Sequence, residues 1–202
     1  RSYRRSWIRD GAMMAAALLR LGHEDEVEAY ARWFSAHQYP DGKVPCCVDA
    51  RGADPVPEND ADGELIFLVA ETARLTGDTA FAAELWPRVA AAVAHIDALR
   101  AQRRTEAYRT PDKLVFFGLM PESISHEGYS AKPMHSYWDD FWALRAFKDA
   151  AYLAGLLGRE EERRRWTAVR SEFETELALS IAAAMRVHGV DYIPGCADLG
   201  DF

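Results

Sequence analysis

The sequence predicts an all-α chain of antiparallel helical hairpins, and three observations carry that prediction. Apolar residues recur at helical spacing almost throughout, and no stretch alternates long enough to make a sheet. Three junctions share one layout: Leu19-Arg20-Leu21-Gly22-His23-Glu24, Arg74-Leu75-Thr76-Gly77-Asp78-Thr79 and Leu156-Leu157-Gly158-Arg159-Glu160-Glu161. Each has a leucine-rich helix end, a glycine suited to the left-handed C′ position, and a polar restart. Finally, these short turns alternate with long connections at 38–62, 103–135 and from 187 onward, so the repeating unit is a two-helix hairpin.

The elements follow in order. Trp7, Ile8, Met14, Leu18, Leu19 and Leu21 make a first helix closed by Gly22. Val27, Tyr30, Trp33 and Phe34 make a second, ending before Tyr39-Pro40-Asp41-Gly42. The third spans about 63–75 and stops at Gly77. Asp78 is placed as the N-cap of a fourth carrying Phe81, Leu85, Trp86, Val89, Ile96 and Leu99, with Pro87 marking either a kink or a later start. The fifth covers about 137–157 and the sixth about 160–186. Trp33, Trp86 and Trp166 each follow a junction glycine by a dozen residues or fewer.

Composition bounds the function. The 202 residues are 49% apolar and 28% charged, which excludes disorder, a collagenous repeat and a disulfide-built miniprotein. No run of about 18 apolar residues is present, so no membrane partner is expected. Asp plus Glu number 32 against 24 Lys plus Arg, a net charge of −8, which argues against nucleic acid. The basic run 159–165 is interleaved with Glu160, Glu161 and Glu162 and reads as a solvated helix face. Cys46, Cys47 and Cys196 form no CxxC pair, and buried free thiols are expected. The chain starts Arg-Ser-Tyr-Arg-Arg, without Met or a signal-peptide pattern, so a piece of something longer is expected, and the compartment stays open.

If every tight turn lies at one end of the array, every long loop lies at the other, where rigid scaffolds usually build sites. Three clusters enter odd-numbered helices from that end: Trp7-Ile8-Arg9-Asp10-Gly11, Glu58-Asn59-Asp60-Ala61-Asp62-Gly63-Glu64, and the long tract from Gly118 through Glu122 to Asp140. They combine carboxylates, an arginine and aromatics. That mixture suits a sugar, whose hydroxyls take bidentate contacts and whose apolar faces pack on rings.

These tracts resemble the six-hairpin, (α/α)6-barrel glycosidases, especially glucoamylase-like enzymes of glycoside hydrolase family 15. The resemblance covers most of the chain as hairpin order, but only these short tracts in residues. It implies that Trp7, Arg9 and Asp10 bind terminal sugar hydroxyls, that Asp60 to Glu64 open the third helix with a family-like Asp-x-x-Gly-Glu segment, and that Glu122 is the general acid. The tract Ser136-Tyr137-Trp138-Asp139-Asp140-Phe141-Trp142 is similar to a trehalase-like motif, adding Tyr137, Trp138 and Asp139 to the substrate-binding set. This sequence departs from the family in having Pro121 where a Trp usually precedes the acid. The resemblance further implies that residues 1–202 are one partial catalytic domain, about half of the barrel. Three more hairpins, and the catalytic base, are expected C-terminal to Phe202, leaving this fragment alone inactive. The expected partner is an oligosaccharide or polysaccharide.

Inverting hydrolysis needs a protonated carboxyl at the glycosidic oxygen and a second carboxylate holding water, about 6.5–9.5 Å away. Glu122 fits the first role if Met120 and Phe117 raise its pKa, and a solvent-facing loop residue otherwise. Local readings stand beside each site residue. Asp10 is an N-cap or a sugar ligand, and Asp60 and Asp62 are open to the same pair of roles. Ser136 and Asp139 fit a capping box. Trp138 and Trp142, one turn apart, are core residues or a sugar platform. His126 and His135 flank Glu127 without any zinc-type spacing, so no metal and no cofactor are expected. A helical carbohydrate-binding or interaction module without catalysis remains the reading from another class, and a phosphorylase or epimerase on the same toroid the alternative within enzymes.

Overall fold

A computed structural model describes residues 4–124 and 132–198. The chain is mostly helical. A strand β1 (Ser6–Trp7) leads into α1 (Ile8–Leu19) and α2 (Glu24–Ser35). A hairpin of β2 (Cys47–Asp49) and β3 (Gly52–Ala53) follows, then α3 (Ala61–Thr76), α4 (Thr79–Ala101), α5 (Tyr137–Leu156) and α6 (Glu160–His188). Two single 3₁₀ turns, Glu106–Tyr108 and Leu114–Phe116, punctuate the connection between α4 and α5.

The small sheet corrects the purely helical expectation. Its order is β1-β2-β3, antiparallel, with Trp7 opposite Cys47, Ser6 opposite Val48, and Val48 opposite Ala53. Strands of two or three residues are too short to show alternation, so periodicity cannot reveal them. Ile8 N continues the ladder by donating to Cys46 O at 3.1 Å, which pins the start of α1 to the loop ahead of α3.

The helices end where backbone chemistry ends them. Gly77 adopts φ +72°, the left-handed conformation that closes α3, and its N–H returns to Ala73 O. Asp78 then caps α4, accepting from Ala80 N at 2.7 Å and Phe81 N at 2.9 Å. Pro87 neither breaks nor delays α4, which runs on through it to Ala101.

Helices α1, α3 and α5 pack side by side, and the second helix of each hairpin lies behind them. Helix α3 is central: from Ala61 to Ala73 every residue except Phe67 is buried. A Cβ at Gly63 would stand 2.5 Å from Trp142 O, so only glycine lets α3 and α5 approach this closely. The outer helices meet through Trp86 and Trp166, whose ring centroids are 5.3 Å apart. They also meet through the Arg32–Glu84 and Arg165–Asp97 ion pairs. Because each hairpin reverses the chain twice, α1, α3 and α5 run parallel and begin at the same end. The three tight turns occupy the other end. Among the described residues, no helix is long and apolar enough to cross a membrane.

Candidate functional site

The starts of α1, α3 and α5 converge on one arginine. Arg9 Nε lies 3.3 Å from Asp60 Oδ2 and 3.6 Å from Glu64 Oε1, and its Nη2 lies 3.8 Å from Glu58 Oε2. From α5, Trp138 Nε1 donates to the same Asp60 oxygen at 2.8 Å. Asp139 sits alongside, held by a 2.5 Å hydrogen bond from Ser123 Oγ. Asn59 Nδ2 donates to Pro121 O at 3.1 Å, tying the loop ahead of α3 to the loop ahead of α5.

Three buried carboxyls thus share one cation, with Asp139 close by, and the electrostatics follow. Glu64 titrates well above the ordinary carboxylate range because burial disfavours its charge and Asp60 repels it, with Arg9 offsetting only part. Asp139 is raised well above its usual value by burial and then by Asp60, although the Ser123 hydroxyl pulls the other way. Next to it, Asp140 accepts from Met120 N at 2.8 Å while its Oδ2 is buried without a hydrogen-bond partner. Burial pushes Asp140 up to about 8.

Asp60 is the N-cap residue of α3 by position, yet its side chain makes no cap bond and turns to Arg9 and Trp138. Asp62 turns the other way, accepting from Val44 N at 2.8 Å and pairing with His95 Nδ1 at 2.6 Å. The capping-box reading of Ser136 and Asp139 fails in the same manner: Ser136 makes no side-chain cap bond, and Asp139 is used by Ser123. Asp10 is not a cap either. It lies inside the first turn of α1 behind Trp7, the N-cap residue.

The structure brings Arg9, Asp60, Trp138 and Asp139 together. Trp138 remains 45% exposed, so its indole N–H is anchored while a ring face is open to solvent. Trp7 and the exposed Asp10 line a neighbouring depression with Arg5, Met14 and Tyr30. Tyr137 does not join them. It is 1% exposed, and its hydroxyl bonds to Ser180 Oγ at 2.8 Å between α5 and α6. Successive helical residues diverge by about 100°, so Trp138 faces α3 while Tyr137 faces α6.

Glu122 stands apart from the Arg9 cluster. Its side chain is 40% exposed and bonds to Arg103, with His135 Nε2 3.6 Å away. Met120 and Phe117 do not enclose it, because the carboxyl points to these basic groups. At rest the carboxyl is thus engaged by a guanidinium rather than open to a substrate. His135 is a structural clamp: its Nε2 accepts from Arg103 at 3.0 Å, its Nδ1 faces Asp198 at 3.2 Å, and its ring stacks on Phe116 at 4.4 Å. His126 and Glu127 lie outside the described residues.

Glu58, Glu64, Ser123 and Asp140 belong to this constellation as well; the sequence clusters contain all four without marking them as substrate-binding residues. The signal for Glu64 was present: Asp60 and Glu64 are four residues apart and share a helix face, while Asp62 does not. Ser123 and Asp140 had no such signal, because their partners come from tertiary packing. Compared with known protein families and with curated proteins, the chain matches none.

Proposed function

We propose that the chain is the N-terminal part of an (α/α)6 glycoside hydrolase catalytic domain, and that its Arg9–Asp60–Trp138 cluster holds a sugar. The convergence of Arg9, Asp60 and Trp138 from three parallel helix starts carries this reading. Asp60 orients both partners: it aims the guanidinium of Arg9 and fixes the indole edge of Trp138, leaving a ring face on which the apolar face of a pyranose packs. Asp10, exposed on the same end, accepts hydroxyl hydrogens. Further hairpins of the toroid would cover the exposed Met13, Met14 and Leu18 of α1 and Leu179 and Val187 of α6.

In this reading Glu122 donates the proton and a carboxylate from a later hairpin holds the water. Substrate entry must first displace Arg103 from Glu122. The test uses calorimetry with linear gluco-oligosaccharides and turnover in the longest expressed form of the chain. Trp138→Ala should abolish binding, and Glu122→Gln should remove turnover while leaving binding in place. Binding that ignores Trp138→Ala would refute the subsite. The Arg103–Glu122 pair specifically favours a second reading, a carbohydrate-binding module without catalysis, which keeps the first result and shows no turnover in the unsubstituted chain.

A further inference from the structure

The loop that feeds the site carries an unassigned cluster of a different chemistry. Cys46 and Cys47 are buried free thiols whose sulfurs stand 3.9 Å apart. The β2–β3 hairpin returns Asp54 beside them, its N–H donating to Cys47 O at 3.0 Å, and Asp54 Oδ2 lies 3.9 Å from Cys47 Sγ. The three donor atoms all lie within 4.8 Å of one another, and this is the one such grouping of His, Cys, Asp and Glu among the described residues. Its geometry suits tetrahedral coordination. Two zinc–thiolate bonds of about 2.3 Å subtend a tetrahedral edge of about 3.8 Å, close to the observed sulfur separation.

Each donor is held by the backbone. Cys46 O accepts from Ile8 N, Cys47 lies in β2 opposite Trp7, and Asp54 Oδ1 accepts from Val56 N at 3.1 Å. That last bond leaves Oδ2 as the oxygen turned toward sulfur. Asp54 also borders an open depression lined by Arg5, Asp49, Arg51 and Gly52, through which an ion and a water ligand can enter. Arg5 and Arg51 on this rim both engage Asp49.

We propose that Cys46, Cys47 and Asp54 bind one thiophilic divalent cation of the zinc class, with solvent completing a tetrahedron. Binding exchanges two thiol protons for the cation: two neutral thiols and one carboxylate become a two-thiolate, one-carboxylate complex of net charge −1, with no change of oxidation state. Because the cation displaces two thiol protons, affinity climbs with pH. The ion clips residues 46–54 into a closed loop directly ahead of Glu58 and Asp60. This is a structural role, independent of whether the Arg9 cluster binds sugar.

The test titrates the reduced chain with Co2+ and then displaces it with Zn2+. One equivalent should bind, giving sulfur-to-cobalt charge-transfer absorption and the intense visible bands of tetrahedral cobalt. Cys46→Ser with Cys47→Ser should remove the charge-transfer absorption, Asp54→Asn should weaken binding at least tenfold, and Cys196→Ser should change neither. X-ray absorption on the zinc-loaded, unsubstituted chain needs no variant to fold, and should show two sulfur ligands at about 2.3 Å. Coordination by oxygen and nitrogen alone, or charge-transfer bands that survive in the double serine variant, would overturn the proposal.

Discussion

Replacing Arg9 by Met tests the electrostatic account of the site directly. Arg9 is the cation within 4 Å of Glu58, Asp60 and Glu64, and its side chain is only 17% exposed. At separations near 3.5 Å and an effective dielectric of about 20, each pair is worth about 5 kcal/mol before desolvation is counted. Most of that gross attraction is offset by the cost of burial, and removing one partner of a buried ion pair typically costs about 3–5 kcal/mol. Methionine keeps much of the volume, so the loss is mainly electrostatic. Glu64 already has a raised folded-state pKa, hence the stability tied to its bound proton is present below the unfolded value and disappears as pH rises through the folded one. Without Arg9 that folded value climbs further. The stability gap between the parent chain and Arg9→Met should therefore widen as pH rises above the ordinary carboxyl range, toward about 3–5 kcal/mol. Urea unfolding across this pH range measures it. A gap that stays constant with pH, or that never exceeds about 1 kcal/mol, the scale of an exposed pair, would refute the reasoning.

Two further outcomes follow from single contacts. Asp140→Asn keeps an oxygen for Met120 N and removes an ionisation that burial holds at about 8. A raised folded-state pKa means stability lost on raising pH from about the ordinary carboxyl value through about 8, so the variant should match the parent in acid and exceed it above pH 8 in denaturant titrations. Gly63→Ala sets a methyl 2.5 Å from Trp142 O and should cost about 1–3 kcal/mol. The same substitution pushes α3 from α5, so a change in Trp138 fluorescence should accompany it. An unchanged emission spectrum would mean that the Asp60–Trp138 hydrogen bond does not depend on that close approach.

The hairpin order was legible because it rests on local physics. Helical periodicity, the glycine at position 77 and the cap at Asp78 all act within a few residues, and each appears where the sequence places it. The repeated junctions were legible for the same reason: Gly22, Gly77 and Gly158 all take positive φ in tight turns. The three-stranded sheet was not, since strands this short carry no period and are created by their partners. Tyr137 and Trp138 were not separable either, because both are aromatic residues at one helix start and only the placement of α3 and α6 assigns them opposite faces.

The acidic residues divide what sequence and tertiary structure each decide. Asp60, Asp78 and Asp139 all stand at helix starts, where a carboxylate is worth about 1 kcal/mol as a cap. A hydrogen bond to a charged partner is worth about 1.5–3 kcal/mol, so a cap yields wherever packing brings such a partner within reach. Sequence alone determined that these carboxylates would lie at helix starts, with Asp60 and Asp139 at one end of the array. It also determined Asp78 as a cap, because the tight turn after Gly77 offers its side chain the first amides of α4. Only the tertiary structure could draw Asp60 to Arg9 and Trp138, Asp139 to Ser123, and Glu122 outward to Arg103. The partners are far away in the chain, so no local pattern displays them.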